Sequence, residues 1–212
     1  MRATLFLSFI LMLLAASCAP ANTPEPEIQI VSVYATPATQ PWLADMYACA
    51  QTGTVIRVTN SPNSADISLR LGEPDYQPAS VYQIDTEEIL IATHRRSPVQ
   101  NMTADEVRMG FAGQGDPSVK VWVYSSGEDV QMVFEQVVMQ GRSVTSKARL
   151  ATGPWHMFDV LVNQDDVVGI LPGRWKVDDI RDVFTIPNVP VLALVESEPQ
   201  GAIQEIIACL QK

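Results

Sequence analysis

The period of the hydrophobic pattern changes repeatedly along this chain, and each change predicts an element. Residues 28–34 set Ile and Val against Gln29 and Ser32, the alternation of a strand. The run Thr36-Pro37-Ala38-Thr39-Gln40-Pro41 breaks it, and a helix over 42–51 follows with Pro41 in its first turn, where proline has no hydrogen bond to lose. Gly53 ends that helix. Strands over 54–59 and 65–71 flank a polar turn at 60–64, and a long extended run over 81–93 is interrupted at 85–88 and closed by His94-Arg95-Arg96. Thr103 and Glu106 have capping-box spacing before Val107, Met109 and Phe111, with Gly110 and Gly113 as stops. A compact apolar strand over 119–124 leads to a helix over 130–139, whose Val130, Val133, Phe134, Val137 and Val138 share one face; Gly141 ends it. A helix over 155–162, strands over 167–171 and 189–195, and a final helix over 200–210 complete the order. Strands alternating with helices through short loops predict an α/β fold with mixed, mostly parallel sheets.

Before the first strand the pattern is of another kind. Arg2 precedes an apolar stretch over 5–14, interrupted only by Ser8, and the small residues Ala15, Ala16 and Ser17, directly before Cys18. The stretch is shorter than the roughly 20 residues that span a hydrocarbon core, so residues 1–17 read as an export signal. Leu14-Ala15-Ala16-Ser17-Cys18 resembles the lipobox of bacterial lipoproteins. That resemblance implies lipid transfer to the Cys18 sulfur, cleavage before it, acylation of the new amino terminus with a chain such as palmitate, and a protein anchored on the extracytoplasmic face of the cell membrane. Residues 18–27, with three prolines among 19–27, read as an extended tether with no apolar face to bury.

About 185 residues remain, enough for one domain or two small lobes with real cores. With 47% hydrophobic and 18% charged residues, burial offsets the entropy of ordering, which excludes a disordered chain. The formal charge of −10, one unit more negative once Arg2 is removed, and the absence of a basic stripe argue against nucleic acid as a partner. With Cys18 assigned to lipid, Cys49 and Cys209 are an even pair, either a disulfide in an oxidising compartment or two buried thiols. No metal is expected, because His94 and His156 are isolated and no cysteine pair has ligand spacing. Catalysis is not expected either. Neither Ser126 nor Cys49 has a histidine nearby in order or spacing, and His156 with Asp159 reads as an exposed helix face.

Several segments together resemble the type 2 periplasmic binding protein fold, and its phosphate-binding branch in particular. They are Ile89-Leu90-Ile91-Ala92-Thr93 followed by Ser97-Pro98-Val99 and Met102-Thr103-Ala104-Asp105-Glu106-Val107, then Phe111-Ala112-Gly113, the stretch 119–134, Val168-Gly169-Ile170-Leu171-Pro172, and Ala65-Asp66-Ile67-Ser68. The resemblance covers about 180 residues and implies two lobes around a cleft, with residues 28–93 and 183–212 in the first, 94–182 in the second, and hinge crossings near 93–97 and 182–189. It implies a small-molecule solute, an ABC-type permease as partner, no cofactor, and a monomer. Ligand contacts would come from loops at the carboxyl ends of strands, which selects Thr36, Thr39, Arg70, Ser125 and Ser126. One segment departs from the family. Where phosphate binders carry Ser-Gly-Thr, this chain has Glu128-Asp129-Val130. Two carboxylates there either repel an oxyanion or are simply favourable first-turn residues on a solvated helix. The departure opens an alternative, in which the fold serves as an envelope sensor or interaction module without transport.

Overall fold

The computed structural model describes residues 28–74 and 80–212; the signal over 1–17, Cys18 and the tether over 18–27 lie outside the described residues. The strands are β1 (Gln29–Ala35), β2 (Thr54–Val58), β3 (Ile67–Leu71), β4 (Ser80–His94), β5 (Lys120–Val123), β6 (Arg149–Leu150), β7 (Val167–Pro172) and β8 (Ile180–Val195). They form an eight-stranded sheet in the order β2-β1-β3-β8-β4-β7-β5-β6. The helices are α1 (Trp42–Cys49), α2 (Ala104–Phe111), α3 (Asp129–Phe134), α4 (Pro154–Asn163) and α5 (Gly201–Leu210).

Parallel flanks meet an antiparallel centre. β1 runs parallel to β2 and β3, and β5 runs parallel to β6 and β7, whereas β8 is antiparallel to β3 and β4, and β4 is antiparallel to β7. The two central strands are long enough to serve both lobes. The outer end of β4 pairs with Val189 to Val195 of β8, next to β3; its inner end, Ile89 to Thr93, pairs with β7. Register shifts fall between Gln83 and Asp85, between Glu87 and Ile89, and between Ile91 and Ala92. The exchange of partners falls between Glu87 and Ile89 in β4 and between Ile186 and Val189 in β8.

Local chemistry accounts for most elements. Thr103 caps α2 with the full capping box, its hydroxyl accepting from Glu106 N–H while the Glu106 carboxylate accepts from Thr103 N–H, and Val107 and Phe111, one turn apart, are buried. Pro154 opens α4, and Met157, Val160 and Leu161 form its buried face. Every residue of β7 is buried, as a strand covered on both sides requires, and Gly169 there leaves room for the Met157 sulfur. The predicted helix over 130–139 begins at Asp129 and widens into a π-helical turn over Glu135–Met139 before Gln140, at φ 50°, ends it.

β8 is the main difference from the sequence pattern, which predicts a strand only from 189. The strand begins nine residues earlier, at Ile180. Its early buried positions, Ile180, Val183, Ile186 and Val189, recur every third residue rather than every second. Bulges produce that spacing, and Pro187, Asn188 at φ 56° and Pro190 add turn signals inside a paired strand.

In the first lobe α1 and α5 lie side by side, joined by a disulfide between Cys49 and Cys209 with Cα atoms 5.8 Å apart. Trp42, Met46, Ile206 and Ile207 fill the space between these helices and the sheet. In the second lobe α4 covers β7 and β4, and Phe111 of α2 packs against Phe134 of α3 with ring centroids 4.6 Å apart.

Candidate functional site

The loops after β1 and β3 in the first lobe face the loop after β5 in the second, and the three meet at one side chain. Asp129 is 4% exposed. Its Oδ2 accepts a hydrogen bond from the Thr36 hydroxyl at 2.6 Å and from the Leu71 N–H at 2.8 Å, and its Oδ1 accepts from the Val130 N–H at 2.9 Å. A buried carboxylate without such partners is strongly disfavoured. Burial is the largest influence on this group and raises its pKa above the ordinary aspartate value, against the lowering effect of the three donors and of the Arg70 charge.

Thr36 is held in place by its own turn. Its oxygen lies 3.0 Å from the Thr39 hydroxyl oxygen, and since the single Thr36 hydroxyl proton goes to Asp129, Thr39 is the donor in that contact. Thr39 is fully buried and also lies within reach of the Thr36 and Leu69 carbonyls. Arg70 is half-buried, and its guanidinium turns to the carbonyls of Leu71 and Glu73 through long contacts of 3.5 and 3.4 Å. Ser125 and Ser126 are exposed on the loop after β5, where the Ser125 carbonyl accepts from the Glu128 N–H. The fold therefore brings Thr36 into contact with Asp129, with Thr39 behind Thr36 and Arg70 acting on Asp129 through its charge alone, and leaves the two serines exposed.

The sequence puts Glu128 and Asp129 at a helix start, where two carboxylates either repel an oxyanion or sit on a solvated face. Asp129 is not solvated. Its partners Thr36 and Leu71 lie 93 and 58 residues earlier, so no local signal marks it. Glu128 is partly buried, and burial followed by the Asp129 charge raises its pKa. The same two acids, behind the larger effect of burial, raise the Tyr34 phenol on β1. Tyr124 fixes the loop from behind: its hydroxyl donates to the Ile170 carbonyl at 2.7 Å, and its N–H donates to Gln131 Oε1 at 3.0 Å.

A second bridge of opposite charge stands near the strand exchange. Arg174, just beyond β7, donates to Asp45 of α1 at 2.8 Å and to Asp85 of β4 at 2.9 Å, and stacks over the Trp42 ring 4.1 Å from its centroid. The Trp42 indole N–H donates to the same Asp85 oxygen at 3.0 Å. Next to this cluster Glu87 is 6% exposed at the β4 register shift, accepting from Glu88 and Arg174 N–H groups, and burial raises its pKa. Among the described residues, no cluster of histidine, cysteine, aspartate or glutamate could hold a metal ion.

No family model and no curated protein matches the chain. Solved structures do. A structure with bound phosphate from Clostridium perfringens, assigned as a phosphate ABC transporter substrate-binding protein, superposes with a TM-score of 0.73 at 13% identity, covering 86% of this chain and 93% of that one. An ABC-type phosphate transport receptor from Vibrio cholerae gives 0.61 at 12% identity over the same shares. The regulatory domain of CcmR from Synechocystis, in complex with 2-PG, gives 0.62 at 10% identity, covering 86% of this chain and 96% of that domain. At these identities the likeness concerns the fold. The chain has the two-lobed, type 2 periplasmic-binding-protein-like architecture, which transport receptors and regulatory domains share.

Proposed function

We propose that this chain is a solute-binding protein of the phosphate-binding-like class, anchored by lipid on Cys18 to the extracytoplasmic face of the cell membrane. It closes two lobes on a small molecule and presents it to an ABC-type permease, with no catalytic step. The observation that carries this reading is the convergence of Thr36, Leu71 and Asp129, from opposite lobes, on one buried polar point in the cleft. A ligand that contacts both lobes there shifts the hinge equilibrium toward closure. Phosphate or another oxyanion is the solute that the two transport receptors suggest, while Asp129 and Glu128 favour a solute that carries no negative charge at that point.

Thermal-shift measurements on the purified chain test the reading. A panel of phosphate, sulfate, amino acids and polyamines should contain at least one solute that raises the melting temperature in a saturable way. A panel without effect counts against solute delivery. The anchor has its own test: labelled palmitate should enter the parent and not the Cys18→Ser variant.

A second reading, an envelope sensor or protein-interaction module without transport, draws on the two bridges. Asp129 and Arg174 both join the lobes through the chain's own side chains, and a regulatory domain such as that of CcmR has the same fold. Loss of a neighbouring permease with no change in the protein's effect on cells would favour this second reading.

A further inference from the structure

Asp129 combines three properties that a first-turn aspartate does not need. It is almost fully buried, one oxygen takes both of its donors from the opposite lobe, and the other takes a donor from its own. The donors are a hydroxyl and two backbone N–H groups, neutral and short, arranged around a single anionic group. Neutral hydroxyl and N–H donors of this kind are also those that bind a small oxyanion, since its oxygens accept directional donors without a full countercharge. Arg70 adds distant positive potential and no direct bond to the carboxylate.

We infer that Asp129 is a built-in occupant of an oxyanion position: its carboxylate latches the two lobes together and excludes a free oxyanion from the cleft. The inference rests on the reading of the interlobe cleft as the solute site. A free phosphate or sulfate needs the Thr36 and Leu71 donors that Asp129 already engages, and it meets the negative charges of Asp129 and Glu128 on approach. Removal of the carboxylate has two effects. The cross-lobe bonds are lost, and the Thr36 and Leu71 donors become available to an anion from solution.

Two variants of the full chain in detergent test this. Asp129→Ser vacates the carboxylate and supplies a small hydroxyl; Asp129→Ala removes the acceptor outright, whereas an asparagine would keep an amide oxygen able to accept from both Thr36 and Leu71. Hydrogen exchange at the Leu71 amide reports the latch directly, and it should quicken about tenfold or more in both variants. Calorimetry with inorganic phosphate and with sulfate should detect no binding to the parent at millimolar concentration, and binding to Asp129→Ser at least about tenfold tighter. Added phosphate should then slow the Leu71 exchange of that variant again. Unchanged Leu71 exchange in both variants overturns the latch, and Asp129→Ala alone decides this if the serine variant does not fold. A folded Asp129→Ser that takes up neither anion, or a parent that binds phosphate as tightly, overturns the oxyanion assignment. Failure of the solute panel to stabilise the parent bears on the transport reading alone and leaves the Leu71 result standing.

Discussion

Gly72 and Val133 meet across the cleft with no space for a side chain between them: a Cβ at Gly72 would lie 2.6 Å from the Val133 Cγ2. Gly72 closes the first lobe's β3, and Val133 belongs to α3 of the second. The glycine also has φ +67°, and its N–H donates to the Pro190 carbonyl at 2.9 Å.

Gly72→Ala meets both obstacles at once. The left-handed backbone and the overlap with a packed valine predict a loss of about 1–3 kcal/mol, measured by urea unfolding. A midpoint equal to that of the parent would contradict both the left-handed backbone at Gly72 and its close contact with Val133.

Thr36 and Asp129 should be energetically coupled. Thr36→Val removes a donor and leaves a buried carboxylate short of a partner, at a cost of about 1–3 kcal/mol. When Asp129→Asn is already present, the same substitution should cost less, and a double-mutant cycle should give a coupling of about 1 kcal/mol. Additive effects would separate the two residues.

The pH dependence of Asp129 has a defined sign. Burial raises its folded pKa above the unfolded value, so the folded chain binds this proton more tightly. Its contribution to stability is present in acid and is lost as pH rises through the folded value. The parent should therefore gain stability relative to Asp129→Asn as pH falls from neutrality toward the ordinary carboxylate range. Glu128, Tyr34 and Tyr124 interact with Asp129 and are raised like it, with burial as the largest cause in each, while the Arg70 charge acts on Asp129 in the lowering direction; Glu128 is the other carboxyl of the group. A parent-to-variant difference that is flat with pH contradicts the assignment.

The Cys49 to Cys209 bond closes a loop of 160 residues. Replacing both cysteines with serine should lower the unfolding free energy by roughly 2–5 kcal/mol, because the unfolded chain regains the freedom that the bond removes. Reductant should lower the parent's stability to a similar extent and leave the double variant unchanged.

Much of the fold can be read directly from residue patterns. The interruption at 85–88 marks two of the three register shifts between β4 and β8, and Thr103 with Glu106 marks the start of α2, because a bulge and a cap are both local events. The first part of β8 has no such signature, since bulges space Ile180, Val183 and Ile186 like neither a regular strand nor a helix. The site is harder to read for a related reason. Thr36, Thr39 and Arg70 follow from the rule that ligands gather at strand ends, yet the residue that Thr36 contacts, Asp129, resembles any acidic first-turn residue until the opposite lobe is in place. Ser125 and Ser126 satisfy the same rule and still point to solvent.

The path of the chain through the sheet also sets an order of events during synthesis. β3 has β8 as a neighbour and α1 is tied to α5, so the first lobe is incomplete until the carboxyl terminus has been made. β5, β6 and β7, with the inner end of β4, are all available before that point. The lobe that begins the protein is therefore the last to be finished as the chain is made. A chain that stops before Val189 has β3 as an open sheet edge, a template for unwanted pairing with other chains.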